Sequence, residues 1–156
     1  MNSIIKSDGI VYVTIEWKDG KLTKFSVPNR VLRTGRIAIA NSLANNFGSS
    51  YGYFINAMSF GSGGTLGGES RYVDDTREGL FGPTVITKPV ISSINPDVPY
   101  QGIFTSVLTY EDAVGDIINE MALRMYNGEY FSMATYGDIT KTSQMQITWN
   151  WTLTHI

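Results

Sequence analysis

Apolar and polar side chains alternate through the stretch from Ser143 to Ile156. Met145, Ile147, Trp149, Trp151 and Leu153 fall on one parity, and Gln146, Thr148, Asn150, Thr152 and Thr154 on the other. A period of two predicts a half-buried β-strand, because a helix would scatter the same apolar residues around its circumference. The polar parity carries amides and hydroxyls but no charge. Exposed strands usually carry Lys or Glu against edge pairing, so this face suits contact with another polar protein surface.

The same alternation recurs upstream. Ile10–Trp17 and Leu22–Val27 flank Asp19-Gly20 and read as a hairpin. Tyr51–Ser62, Thr84–Ile94 and Gln101–Tyr110 read as strands, the second disturbed at Pro89, which points to an edge or a bulge. Asp116–Tyr126 is tolerant of helix. The Asn127-Gly128 turn and a returning Tyr130–Tyr136 decide it for strand. Period 3.6 appears once, from Arg30 to Phe47, with Leu32, Ile39, Leu43 and Phe47 about a turn apart. Asn29 suits its N-cap and Gly48 its C-terminal stop. Gly35 inside that helix suggests close packing on a sheet. The expected fold is mainly β: an antiparallel β-sandwich, jelly-roll-like, with one α-helix near residues 30–47, and residues 1–156 as a single domain.

Composition sharpens this picture. Hydrophobic residues make up 42% and charged residues 17%, against about 25% charged in an average domain, so much surface is buried. There is no Cys, which excludes disulfides, thiolate metal sites and Cys nucleophiles. No apolar run approaches the roughly 20 residues of a membrane span, and the N-terminus lacks a basic-then-apolar signal. A soluble protein made in the cytosol is the simplest reading. Residues 1–36 hold seven Lys/Arg against three Asp/Glu, and residues 37–156 hold five against eleven. An electropositive pole on an acidic body follows. Nucleic acid is disfavoured by the sequence pI of about 5.3 and by the lack of basic-aromatic interleaving.

Chemistry is thinly represented. The single His, His155, stands near the end of the last strand and reads as a packing or frayed-end residue. Asp74, Asp75, Asp112 and Asp116 show no spacing of a calcium loop. The loop Gly61–Gly68 holds five glycines but no Lys and no following helix, so it is not a phosphate cradle. It reads as a flexible or conformationally demanding loop, irregular throughout. Sugar binding has Trp149, Trp151 and nine Tyr to draw on, although strand parity sends both Trp to the core. No catalytic, cofactor or metal site is expected.

Protein contact is the better-supported expectation. Gly61, Gly63, Gly64 and Leu66 lie in a loop without side chains to hold it, and a partner surface would offset its ordering entropy. Leu80 and Phe81 sit between Gly79 and Gly82, either as an anchor for a partner or as a plug for the protein's own core. Arg30, Arg33 and Arg36, spaced by three, offer a secondary patch that the dipole of their own helix disfavours.

The order of several motifs resembles small virion structural proteins of tailed bacteriophages: head decoration or cement proteins, and fibre, neck or tail attachment proteins. The motifs are Arg33–Arg36 running into Leu43, Ile55–Thr65 with its Phe60-Gly61-Ser62-Gly63-Gly64-Thr65, Thr76–Gly82, Ile118–Leu123, and Lys141-Thr142 through Trp151. The resemblance implies a non-enzymatic protein of the virion, assembled in the host cytoplasm and present in repeated copies. Its partners would be the major capsid protein or neck and tail proteins. A homo-oligomer, a trimer by preference, is expected on the shell. The alternative is a neck, tail or fibre attachment protein or a carbohydrate-binding receptor-recognition module.

Overall fold

The last strand is the axis of the fold. Strand β12 (Met145–His155) runs antiparallel between β1 (Ser7–Trp17) on one side and β9 (Gln101–Leu108) on the other. The computed structural model describes residues 7–44 and 52–155. In it, β2 (Leu22–Pro28) and β8 (Ile91–Ile94) complete a first sheet in the order β2-β1-β12-β9-β8. A second sheet has the order β3-β11-β10-β4-β7, from Arg30–Val31, Tyr130–Thr140, Ile117–Met125, Ile55–Gly61 and Thr84–Pro89. Every pairing is antiparallel, so the expected β-sandwich with one helix is what the chain forms.

The apolar parity of β12 supplies the core between the sheets. Met145, Ile147, Trp149, Trp151 and Leu153 are buried beside Val11, Val13 and Ile15 of β1. They face Met58, Phe60, Met121, Leu123, Met125 and Phe131 of the second sheet. Trp149 sits at the centre, with the rings of Phe60 and Tyr136 centred 4.9 and 5.4 Å away. Burial pushes the Tyr136 phenol well above its ordinary pKa, and the nearby Glu120 charge adds to that. Both tryptophans are therefore withdrawn from any sugar-stacking role.

Two features read from the sequence take definite form. Pro89 ends β7 in the second sheet, and β8 begins two residues later in the first, so one extended run serves both sheets. Proline lacks the ladder N–H, which makes it a natural point to leave a sheet. Helix α1 spans Arg33–Leu43, and Gly35 lies against the Phe131 carbonyl, where a Cβ would not fit. Close packing of this helix on β11 is what the glycine permits.

The helix starts later than its periodicity suggests. Arg30 and Val31 pair with Met133 and Ser132 as β3, so Arg30 is a strand residue and Asn29 is not the cap. Leu32 takes the N-cap position without a side-chain bond. The Arg33 N–H finds a tertiary acceptor instead, the Asp75 carbonyl at 2.7 Å, and the Thr34 hydroxyl ties the first turn to β11 by donating to the Tyr130 carbonyl. Phe47 and Gly48 lie outside the described residues.

The two sheets are dressed differently. β12 alternates buried and half-buried along its length, as expected for one wet face. β4 and β10 are buried almost without interruption. The reason is a second, smaller core on the outer face of their sheet. Leu32, Val73, Ala122 and Met133 form it, with Leu80, Phe81 and Tyr130 packed against them. The segment from Ser62 to Pro83 is thus a cover for the second sheet, and the first sheet has no such cover among the described residues.

Candidate functional site

The pole of the molecule where this cover meets α1 gathers most of the residues singled out from the sequence. Its centre is Glu120 of β10, wholly buried on the outer face of the second sheet. A buried carboxylate needs donors, and two glycine loops provide them. Oε1 accepts the N–H of Gly63 and of Gly82, both at 2.9 Å, and Oε2 accepts that of Phe81 at 2.8 Å. Asn119, its neighbour, continues the clasp. Its Oδ1 accepts from Gly64 N–H at 2.7 Å, and its Nδ2 reaches the Ser62 carbonyl, Thr65 and Asp138. Hydrogen bonds from Asn119 and then Thr65 hold the Asp138 carboxyl below its ordinary pKa.

These contacts correct the reading of Gly61–Gly68 as irregular throughout and without side chains to hold it. Gly61 ends β4, while Thr65–Leu66 and Glu69–Ser70 pair as a small ribbon, β5 and β6. The two residues between them, Gly67 and Gly68, have φ of +61° and +84°. Positive φ at both central positions is the type I′ hairpin turn that glycine favours. Gly63 and Gly64 crowd against Gly82 and the Asn119 carbonyl, leaving no room for a Cβ. The ordering entropy is offset within the chain. Glycine here serves close approach, and the N–H groups that might have cradled an anion already hold Glu120 and Asn119.

Leu80 and Phe81 fold back as a half-buried plug on the second core. The guanidinium of Arg77 lies 3.6 Å from the centre of the Phe81 ring and that of Arg71 lies 5.0 Å away. Arg77 also donates to the carbonyls of Gly79 and Leu80, so the loop is closed over its own aromatic residue. Of the glycine-loop residues only Leu66, on the ribbon, is strongly exposed and apolar.

The arginine row is brought to this same pole, although not as one helical stripe. Arg30 on β3 stacks on the exposed Tyr72 ring at 4.8 Å. Arg36 on α1 pairs with Asp75 at 2.7 Å, and Arg33 is exposed between them. The Asp75 carboxylate also lies near the helix N-terminus, where a negative group favours the macrodipole. Sequence spacing linked the three arginines, while strand pairing and the 71–77 loop assemble them with Tyr72 into one surface. Glu120 and Asn119 were missed as organisers. The available signal was an adjacent Asn-Glu pair in a strand whose other residues, Arg124 apart, are apolar, together with glycine-rich segments that offer backbone N–H groups and few side chains.

Other chemistry-bearing groups are engaged in structure. Lys88 and Asp112 pair at 2.8 Å. Burial raises the Asp112 carboxyl, but the bonds from Lys88 and the Thr109 N–H outweigh it and hold the group below its ordinary pKa. Lys141 is buried and donates to the Thr142 carbonyl at 3.0 Å, and burial lowers its pKa. Asp74 is capped by Thr76, which holds it below the usual range. Among the described residues no group of three or more His, Asp or Glu is placed to hold a metal ion, and no helix is long and apolar enough to cross a membrane. Comparison with protein-family models, curated proteins and solved structures finds no match to this chain.

Proposed function

We propose that this protein is a non-enzymatic structural component of a tailed-bacteriophage virion, one that decorates or cements the capsid by docking its loop pole on the shell. The observation that carries the docking role is the convergence of Gly61–Phe81 and the Arg30–Arg36 row on one pole already held in shape by Glu120 and Asn119. A surface ordered before contact binds without a further ordering penalty. Exposed Tyr72 and Leu66 with Arg30 and Arg33 give that pole anchors of the kinds found at interfaces. Assignment to a virion rests on the motif order that resembles phage structural proteins, with the major capsid protein as the first partner and the neck, tail or fibre as the second.

Cryo-EM of tailed particles containing the chain tests the reading. Density for a two-sheet sandwich at repeated positions on the capsid lattice is expected, with Arg33 and Tyr72 toward the shell. Arg33→Glu combined with Tyr72→Ala should leave the fold intact and empty those positions. A chain that binds glycans at micromolar affinity on an array and ignores capsid protein overturns the proposal in favour of receptor recognition.

A further inference from the structure

The outer face of the first sheet lies away from the pole just described, and its composition is that of an interface centre. The register places Asn150 of β12 between Tyr12 of β1 and Thr105 of β9, with Thr152 between Ile10 and Ile103 and Thr148 between Thr14 and Val107. Across these three central strands no charge occurs from the Thr14 row to the Ile10 row. Charges stand only at the margin: Asp8 and Glu16 toward the two ends of β1, and Lys24 on the edge strand β2. Side chains that solvent-facing sheets rarely leave bare are open here. Tyr12 is 49% exposed, Ile10 39% and Ile91 78%. Interface centres are depleted in charge and enriched in Tyr in this way.

We propose that this face packs against the same face of a second copy of the chain. Size favours such a pair. Five strands of four to eleven residues, at about 4.8 Å spacing and about 3.4 Å rise per residue, give a flat patch of roughly 650 Å². Side-chain relief brings its accessible area toward the roughly 800 Å² per partner of a stable interface. Shape favours it as well, since a twisted sheet face is matched by another of the same twist, packed about 10 Å away at an aligned angle. The polar groups are self-matching: hydroxyls both donate and accept, and Asn150 accepts from Thr105 at 2.7 Å with its amide N–H2 uncommitted to any described residue. Two copies therefore meet without setting like charges together at the centre. A face-to-face contact of this kind is isologous and closes at two, in place of the trimer expected from the sequence. The inference is independent of the virion reading.

Sedimentation velocity of the full chain from about 1 to 200 μM tests it, with Asn150→Lys as the central variant and Thr140→Lys, exposed at the end of β11, as the control. The wild type is expected at twice the 17.3 kDa chain mass. Like charges set against each other across the contact should weaken association by about 100-fold or more. The control should pair like the wild type. Hydroxyl-radical labelling of Tyr12 in the unaltered protein gives a second readout, and should fall as concentration rises. A wild-type monomer throughout, a trimer, or an oligomer indifferent to Asn150→Lys with Tyr12 still labelled would each overturn the proposal. Should the lysine variant fail to fold, the Tyr12 labelling of the wild type decides.

Discussion

Replacing Glu120 with Gln tests the organisation of the loop pole with almost no change of shape. The carboxylate accepts three backbone N–H bonds in a fully buried setting. Gln keeps one carbonyl oxygen, best turned toward Gly63 and Gly82, and sets an N–H2 against the Phe81 N–H. Bonds to a charged acceptor contribute about 1.5–3 kcal/mol and neutral ones about 0.5–1.5, so each of the first two weakens by about 1 kcal/mol. At Phe81 a bond is lost and a donor is left facing a donor, worth about 2 kcal/mol. The sum is about 4 kcal/mol, a fall in Tm of roughly 8–16 °C at ~2–4 °C per kcal/mol for a chain of this size. Thermal unfolding followed by near-UV circular dichroism reads the total. Amide exchange at Gly63, Phe81 and Gly82 reads its location, and should accelerate there ahead of β12. The exposed Glu129→Gln is the matched control. A Tm within about 2 °C of wild type, with those three amides unchanged, would refute the idea that Glu120 holds the loops.

Three further outcomes follow from the packing. Gly35→Ala should destabilise the protein in thermal melts even though Ala favours helix by about 1 kcal/mol, because the added methyl meets the Phe131 carbonyl; a gain in stability would show that the helix is free to shift. Leu80→Ser with Phe81→Ser should lower urea stability by about 2–4 kcal/mol as two half-buried side chains leave the second core, and unchanged stability would return them to the role of partner anchors. Asp112 has a folded pKa below its ordinary 3.8, so its stabilising contribution is present above that value and fades as pH falls through the lowered one. Asp112→Asn should therefore be less stable than wild type near neutrality and converge with it in acid. A difference that stays constant with pH would assign the loss to packing.

Local pattern carried the architecture a long way. The parity of Met145–Leu153 named the inner face of β12, and Pro89 marked the strand that changes sheets. What stayed hidden depended on groups far apart in the chain. Arg30 and Val31 belong to a helical pattern until β11, a hundred residues on, offers them a ladder. Gly61–Gly68 looks unsupported until Asn119 and Glu120 are placed beneath it. The alternation of Met121, Leu123 and Met125 with Glu120, Ala122 and Arg124 gave no sign that β10 is buried on both faces, because its outer cover is a loop, which has no periodicity to read.

The pairing of β1 with β12 sets how the molecule yields to force. Ser7 lies opposite His155, and the ladder runs from there to Trp17 opposite Met145. Tension applied at Ser7 and His155 pulls on adjacent strand ends, so rungs open one after another instead of shearing together. The same arrangement delays closure during synthesis: β1 waits for the last strand, and such distant contacts make folding slow. A load carried through both ends therefore peels the first sheet down its middle, between β1 and β12, and uncovers the core that the second sheet shares with it.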